Sequence, residues 1–246
     1  MRPVRITSSL LAAGAVVASC NDNPVFPTDV HDQDLNVTVS FSPDHLATLT
    51  ELEVEVSITD HDGMVVQDFE TVTVELRAEG SETWRGPELA AHADHFSGTH
   101  RFYSSGLYDM RVAVQAHGAD HADVIYEHAQ PLDVERIHHE SGHFRVEMET
   151  FPGHIHEGEE AVIRFWVSED VGGTMTPVGG MTAEVEVEHS TNGGHSAHAA
   201  GEPETGVYEA HHTFTDHGDF EVSLDFDDDH GAHHHVAFIV PVSAAH

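Results

Sequence analysis

Histidine and aspartate are concentrated in one short segment near the C-terminus. Residues 227–235 read Asp-Asp-Asp-His-Gly-Ala-His-His-His. Imidazole nitrogens and carboxylate oxygens are ligands that zinc and copper(II) accept. The turn residues predict a hairpin between the last two strands, in which His233 and His235 share a face and the three aspartates lie across the turn. The candidate metal ligands of this segment are Asp227, Asp229, His230, His233 and His235.

Two further places offer histidine ligands. His154 and His156 are separated by one residue, so an extended backbone makes them point the same way and lets them share a metal. His212 is the remaining candidate, and it recurs at the position that His100 holds in an earlier copy of the same pattern. The chain has no methionine-rich motif, which favours zinc or copper(II) over copper(I). The alternative to a metal ligand, for any one histidine, is a polar surface residue on the outward face of a strand.

The charge balance limits the partners of this chain. Acidic residues number 44 against nine basic ones, all of them arginine, and the formal net charge is −35. Such a chain repels nucleic acids and anionic lipid surfaces and attracts cations. Solubility in a salty medium is the alternative explanation of the acidity. The 25 histidines become protonated in mild acid, so the net negative charge decreases quickly there.

Catalytic motifs give little support for an enzyme. The sequence has no Gly-x-Ser-x-Gly elbow and no phosphate-binding glycine loop. The many carboxylates fall on alternating positions of strand-like segments, where hydration explains them. We therefore expect a non-catalytic protein.

The elements that position these ligands occur twice along the chain. Residues 52–58 alternate apolar and polar side chains, and the pattern returns 109 residues later, at 161–167. Two later segments, 72–76 and 108–114, return after 111 and 112 residues. Every repeated segment has period two, which is typical of strands with one buried face. The sequence thus predicts an all-β protein of two tandem immunoglobulin-like antiparallel β-sandwiches.

The predicted domain organisation follows from this duplication and from composition. We expect a signal peptide at 1–19, a polar tether at 20–34, a first β-sandwich at 35–135 and a second, histidine-rich β-sandwich at 143–246. Residues 131–143 are the expected link between the two domains.

The N-terminal segment resembles a secretory signal. Two arginines precede an apolar stretch, and Val17-Ala18-Ser19-Cys20 resembles the lipobox of bacterial lipoproteins. The resemblance implies cleavage before Cys20, the only cysteine, and lipidation of its sulfur. The mature chain is then tethered to a membrane on the periplasmic side of the cell envelope, with the outer membrane preferred because Asn21 follows the cysteine. An ordinary signal followed by a free thiol is the alternative.

A second resemblance rests on a short aromatic and glycine pattern in both copies. The first copy reads Phe-Tyr-Ser-Ser-Gly-Leu-Tyr at 102–108, and the second reads Phe-Thr-Asp-His-Gly-Asp-Phe at 214–220. With Gly206-Val207-Tyr208, this is similar to the periplasmic YtkA-like domains that also occur in FixH-like proteins. The resemblance implies a non-catalytic module outside the membrane, sometimes near copper or cytochrome oxidase assembly. FixH-like proteins carry a transmembrane helix, whereas this chain has a lipobox.

Two functions of different classes follow from the sequence. The first is a lipid-anchored periplasmic protein that captures or buffers zinc or copper through its His/Asp-rich loops. The second is an extrinsic interaction or scaffolding subunit of an envelope complex, bound to a protein partner through its sheet edges. A pH-responsive surface protein is a third possibility.

Overall fold

The computed structural model describes the backbone of residues 6–7 and the whole of residues 35–245. The predicted signal peptide, the lipobox cysteine Cys20 and the tether lie outside the described residues, apart from the two-residue strand at 6–7. Within the described part, the chain contains no helix long and apolar enough to cross a membrane.

The described chain is built from β-strands, as the period-two pattern predicts. The N-terminal half contains β1 (Ile6–Thr7), β2 (Asn36–Ser42), β3 (Glu51–Thr59), β4 (Thr71–Ala78), β5 (Ala90–Ala91), β6 (Phe96–Arg101), β7 (Gly106–Gln115), β8 (Asp123–Glu127) and β9 (Leu132–Val134). The C-terminal half contains β10 (Ile137–Ser141), β11 (Phe144–Phe151), β12 (Ile155–His156), β13 (Glu160–Asp170), β14 (Met175–Pro177), β15 (Ala183–His189), β16 (His195–Ala199), β17 (Gly201–Glu204), β18 (Val207–Thr213), β19 (Gly218–Asp227) and β20 (His233–Ser243).

Two compact units divide the chain. Of the described residues, the first unit comprises 6–7, 35–46, 51–101 and 106–134, and the second comprises 47–50, 102–105 and 135–245. The expected link at 131–143 instead contains two strands: β9 pairs with β7, and β10 pairs with β11. Leu132 and Val134 are buried because they continue the period-two alternation of apolar residues.

The first unit is an antiparallel sandwich. One sheet has the order β1-β2-β3-β6-β5, and the other has the order β4-β7-β8 with β9 on β7. Alternate residues of β3 and β4 are buried, in agreement with the predicted alternation. This apolar face supplies the core of the unit.

The second unit repeats this architecture with additional strands. One sheet has the order β10-β11-β13-β18-β17 with β14 on β13, and the other has the order β12-β20-β19-β15-β16. All pairs are antiparallel except β12 with β20. One hydrophobic core joins residues of both sheets, including Phe165, Tyr208, Phe226 and Phe238. The chain is thus all-β, with two tandem antiparallel β-sandwiches of immunoglobulin-like architecture.

Candidate metal-binding site

The predicted C-terminal hairpin is confirmed. Strands β19 and β20 pair in a register that sets Asp227 opposite His233 and Asp225 opposite His235. The residues that alternate with these pairs along the two strands point to the core, since Leu224, Phe226 and Val236 are buried. Period two therefore places both histidines and both aspartates on the outer face of the sheet.

One carboxylate lies beside both imidazoles. Asp225 Oδ1 lies 2.9 Å from His235 Nδ1 and 3.4 Å from His233 Nε2. The other ring nitrogen of His233, Nδ1, lies 3.0 Å from Asp227 Oδ1. We call Asp225, Asp227, His233 and His235 the hairpin cluster. Asp225 is the member that the sequence analysis missed, although counting back two residues from Asp227 on the same strand face would have found it.

A hydrogen bond from a buried serine fixes the orientation of the Asp225 side chain. The hydroxyl of Ser223, which is 3% exposed, donates to Asp225 Oδ2 over 3.1 Å and leaves Oδ1 directed at the histidines. An outer hydrogen bond of this kind is typical of carboxylates that bind metals. The hydrogen bond to Asp227, followed by the charges of Asp227 and Asp225, raises the pKa of His233 above its ordinary value.

The turn of the hairpin is organised by Asp228. Its carboxylate accepts the backbone N–H groups of Ala232 at 2.8 Å and His230 at 2.9 Å, and these bonds lower its pKa. His234 Nε2 lies 3.3 Å from the other carboxylate oxygen, while the His234 ring stacks on Phe226 with centroids 4.9 Å apart. Asp228 and His234 therefore hold the turn in shape, which is a structural role.

The remaining hairpin ligands lie at the tip of the turn. Asp229 and His230, together with Asp228, offer ligand atoms within 4.8 Å of one another. They line a cleft of about 440 Å³ that Phe144 and Glu169 also border. The predicted ligands of 227–235 are therefore divided between the strand face and the turn.

The other predicted histidines occupy separate places in the second unit. The rings of His154 and His156 lie together, with centroids 4.6 Å apart, and His154 Nε2 is 2.8 Å from the hydroxyl of Ser243. His212 on β18 pairs with His198, its Nδ1 lying 3.1 Å from His198 Nε2. In the sheet order, β16 with His198 stands three strand spacings from β20, which is about 14 Å. His212 is therefore remote from the hairpin cluster.

Burial shapes the chemistry of His212. Its ring packs edge-on against Phe214 with centroids 4.7 Å apart, and the loss of hydration lowers its pKa; His198 lowers it further. A histidine held in its neutral form is ready to ligate a metal, but it is equally typical of a ring packed at the edge of a core.

A sequence motif typical of zinc proteases occurs elsewhere in the second unit, and the sequence analysis missed it. Residues 139–143 read His-Glu-Ser-Gly-His, which matches His-Glu-x-x-His. That motif aligns two histidines on one face of a helix, but residues 139–141 belong to strand β10, and Gly142 and His143 form the turn to β11. His139 packs on Phe238, and His143 Nε2 lies 3.3 Å from Glu169 Oε1. The helical geometry that the motif needs is therefore not formed here.

The arginines of the second unit are engaged with other carboxylates. Arg136 lies over Trp166 at 3.9 Å and pairs with Glu147, and Arg164 pairs with Glu209. The carboxylates of the hairpin cluster instead face imidazoles. Arginine is therefore not the partner that the structure gives these carboxylates.

Comparisons with known proteins identify no family for this chain. The chain matches no family model, and no curated protein matches it. It is similar to invasin, a bacterial integrin-binding protein, with 15% identity and a TM-score of 0.32 over 85% of this chain and 39% of that chain. The Escherichia coli adhesin FdeC gives 18% identity and a TM-score of 0.31, with 85% and 64% covered. Fibronectin(III)-like modules of Clostridium thermocellum CbhA give 12% identity and a TM-score of 0.26, with 84% and 94% covered. The chain thus spans less than two thirds of invasin and of FdeC.

Proposed function

We propose that this chain is a non-catalytic, lipid-anchored protein of the bacterial envelope that captures or buffers zinc or copper(II) at the hairpin cluster. The observation that carries the proposal is the convergence of His233 and His235 on Asp225 Oδ1. Two imidazoles and a carboxylate are a donor set that zinc and copper(II) both accept. A YtkA-like origin of both domains is part of this proposal.

The surrounding charge adds to the argument. Glu184 on β15 lies directly opposite Asp225 on β19, so two acidic residues face one another across the strands. Like charges in this position destabilise a sheet. A divalent cation bound beside Asp225 reduces this repulsion, and because the histidines must lose their protons to ligate, binding weakens in acid.

Calorimetric titration of the full chain with zinc and copper(II) tests the metal proposal. We expect H233A/H235A to lose the hairpin site, with affinity there weakened by about tenfold or more. The matched control is H195A/H211A, which removes two histidines of similar exposure, each beside one carboxylate, Glu186 or Glu160. Equal titration curves for the two double variants would overturn the proposal.

The anchor is tested separately. Cys20→Ala removes the sulfur that the lipobox resemblance marks for acylation. We expect wild-type protein to incorporate labelled palmitate and to sediment with membranes, and C20A to do neither. Unlabelled wild-type protein, or C20A that still sediments, would contradict the anchor.

An interaction subunit is the second candidate. In the described chain, the outer side of β20 is paired by β12 at Val242 and Ser243, and Ile239 on the same strand is 47% exposed. A strand edge with an exposed apolar residue is suited to pairing with a partner chain. This function predicts co-purification with a membrane partner that persists in chelator, and recovery of the protein alone after crosslinking would exclude it.

A further inference from the structure

We propose a second, independent site for a divalent transition cation of the zinc class, formed by Glu157, Asp216 and His217. Each residue offers one ligand atom, and these atoms lie within 4.8 Å of one another. His217 Nδ1 is 3.2 Å from Glu157 Oε2 and 3.5 Å from Asp216 Oδ1. We call these three residues the Glu157 cluster.

The Glu157 cluster lies far from the hairpin cluster. Asp216 and His217 precede the first residue of β19, Gly218, and Asp227 is the last residue of that strand. Nine residue steps at about 3.3 Å separate the two ends of β19 by about 30 Å. No single ion can therefore contact both clusters, and the two sites are separable by mutation.

Neighbouring groups hold the ligands of the Glu157 cluster in place. The side-chain amide of Asn192 donates to Asp216 Oδ2 over 2.9 Å, and the backbone N–H of His217 donates to Asp216 Oδ1. The backbone N–H of Glu157 donates to the carbonyl of Ser243 at the end of β20. Four chain segments distant in sequence are thus tied together around the cluster, and outer hydrogen bonds of this type orient metal ligands.

A buried histidine fixes the backbone of His217. His189 is 7% exposed, and its Nε2 donates to the carbonyl of His217 over 3.1 Å. Its Nδ1 accepts the backbone N–H of Thr191 at 3.1 Å, and its ring packs on Phe220. Both ring nitrogens of His189 therefore serve the structure, and the side chain of His217 is the imidazole that the cluster presents for binding.

The charge of the Glu157 cluster favours a cation over a simple ion pair. His217 Nδ1 faces two carboxylates, so one proton on it cannot balance both. His189 Nε2 also lies 3.9 Å from Asp216 Oδ2, but its proton is donated to the carbonyl of His217. Elsewhere in the unit, His211 and Glu160 form a one-to-one pair at 3.2 Å, in which a single proton is sufficient. One nitrogen and two carboxylate oxygens make a three-ligand set that zinc accepts, with water completing its coordination.

Counting zinc bound by the full chain tests the Glu157 cluster. We expect Asp216→Asn/His217→Ala to lose one zinc equivalent, while E160Q/H211A, the matched control, retains it. H233A/H235A loses the hairpin equivalent only, so failure of one site is distinguishable from failure of the other. Asn192→Ala should weaken the Glu157 site by about tenfold, because it removes the bond that orients Asp216.

Two results would overturn this inference. One is unchanged zinc stoichiometry and affinity in D216N/H217A; the other is an equal loss in E160Q/H211A, which would indicate unspecific binding by exposed histidines. Circular dichroism verifies folding of each variant. If D216N/H217A fails to fold, Glu157→Gln replaces it, since the amide keeps the size of the side chain and removes one charge.

Discussion

The two units place different charges on the same sheet framework. In the first unit, β4 and β7 pair Glu75 with Arg111 and Arg77 with Asp109. The equivalent positions in the second unit, 111 to 112 residues later, pair Glu186 with Ser223 and Glu188 with Glu221. The β4–β7 pair of the first unit therefore carries two arginines, and the β15–β19 pair of the second unit has a glutamate and a serine at those positions.

The first unit uses its cations for structure. Arg77 and Arg111 lie over the Trp84 ring at 4.5 and 4.1 Å, and each also pairs with a carboxylate. In the second unit, Ser223 instead orients Asp225 towards the histidines. A serine and a glutamate at the positions of the two arginines thus distinguish the acidic surface of the second unit from the charge-balanced surface of the first.

The largest expected effect is selective stabilisation of the second unit by zinc. Each unit contains one tryptophan, Trp84 in the first and Trp166 in the second, so W166F and W84F isolate the two unfolding transitions. At free zinc one hundred times the dissociation constant, a single site adds about 2.7 kcal/mol to the free energy of unfolding. Because both proposed sites lie in the second unit, we expect at least that gain for the transition reported by Trp166 and no change for Trp84, measured by urea denaturation.

Equal stabilisation of both units by zinc would contradict the proposal that the second unit binds zinc and the first does not. D225N provides the control, because its side chain keeps the shape of the aspartate and loses the charge that both histidines face. We expect the zinc-dependent gain of this variant to shrink by the contribution of the hairpin site.

We expect a smaller effect on stability when Arg111 of the first unit is replaced by serine, the residue at the equivalent position of the second unit, Ser223. Arg111→Ser removes the pair with Glu75 and one stack on Trp84, and we expect it to destabilise the first unit by about 1–2 kcal/mol. Arg101→Ser in the other sheet removes a looser pair, 3.7 Å from Glu51, and should cost less. Urea denaturation measures both, and equal losses would show that the Trp84 stack adds nothing.

Local sequence pattern was sufficient to predict the repeated strands and the C-terminal hairpin. The alternation at 52–58 and its return at 161–167 correspond to β3 and β13, and residues 227–235 span the turn and the strand ends of the predicted hairpin. The same alternation places His234 inwards, but a run of three histidines gives no sign of the Phe144 and Phe226 rings that enclose it.

Contacts between distant segments could not be predicted. Glu157 and His217 are 60 residues apart and meet where β12 joins the end of β20, a pairing without a local signature. The strand β10 was likewise taken as part of a link, because the polar residues His138, His139 and Glu140 conceal its pairing with β11. Register and long-range pairing, rather than composition, decide which of the many histidines meet.

The smallest expected effect concerns acid, and it separates His233 from two histidines that the duplication made equivalent. Burial lowers the pKa of His100 in the first unit and of His212 in the second below the ordinary 6.5. The unfolded chain then binds protons more readily, so stability is full above pH 6.5 and is lost as the pH falls below it. His233 has the opposite sign: its raised pKa contributes stability that is full below pH 6.5 and is lost as the pH rises through its folded value.

Without metal, we therefore expect acid between pH 7 and 5 to weaken both units, with His233 offsetting part of the loss in the second. Denaturation at several pH values should give a flatter slope for H100Q in the Trp84 transition and for H212Q in the Trp166 transition. H233A should steepen the acid loss of the second unit and leave the first unchanged. If H233A instead flattened that slope, protonation of His233 would oppose folding, and Asp225 and Asp227 would not act as its charge partners.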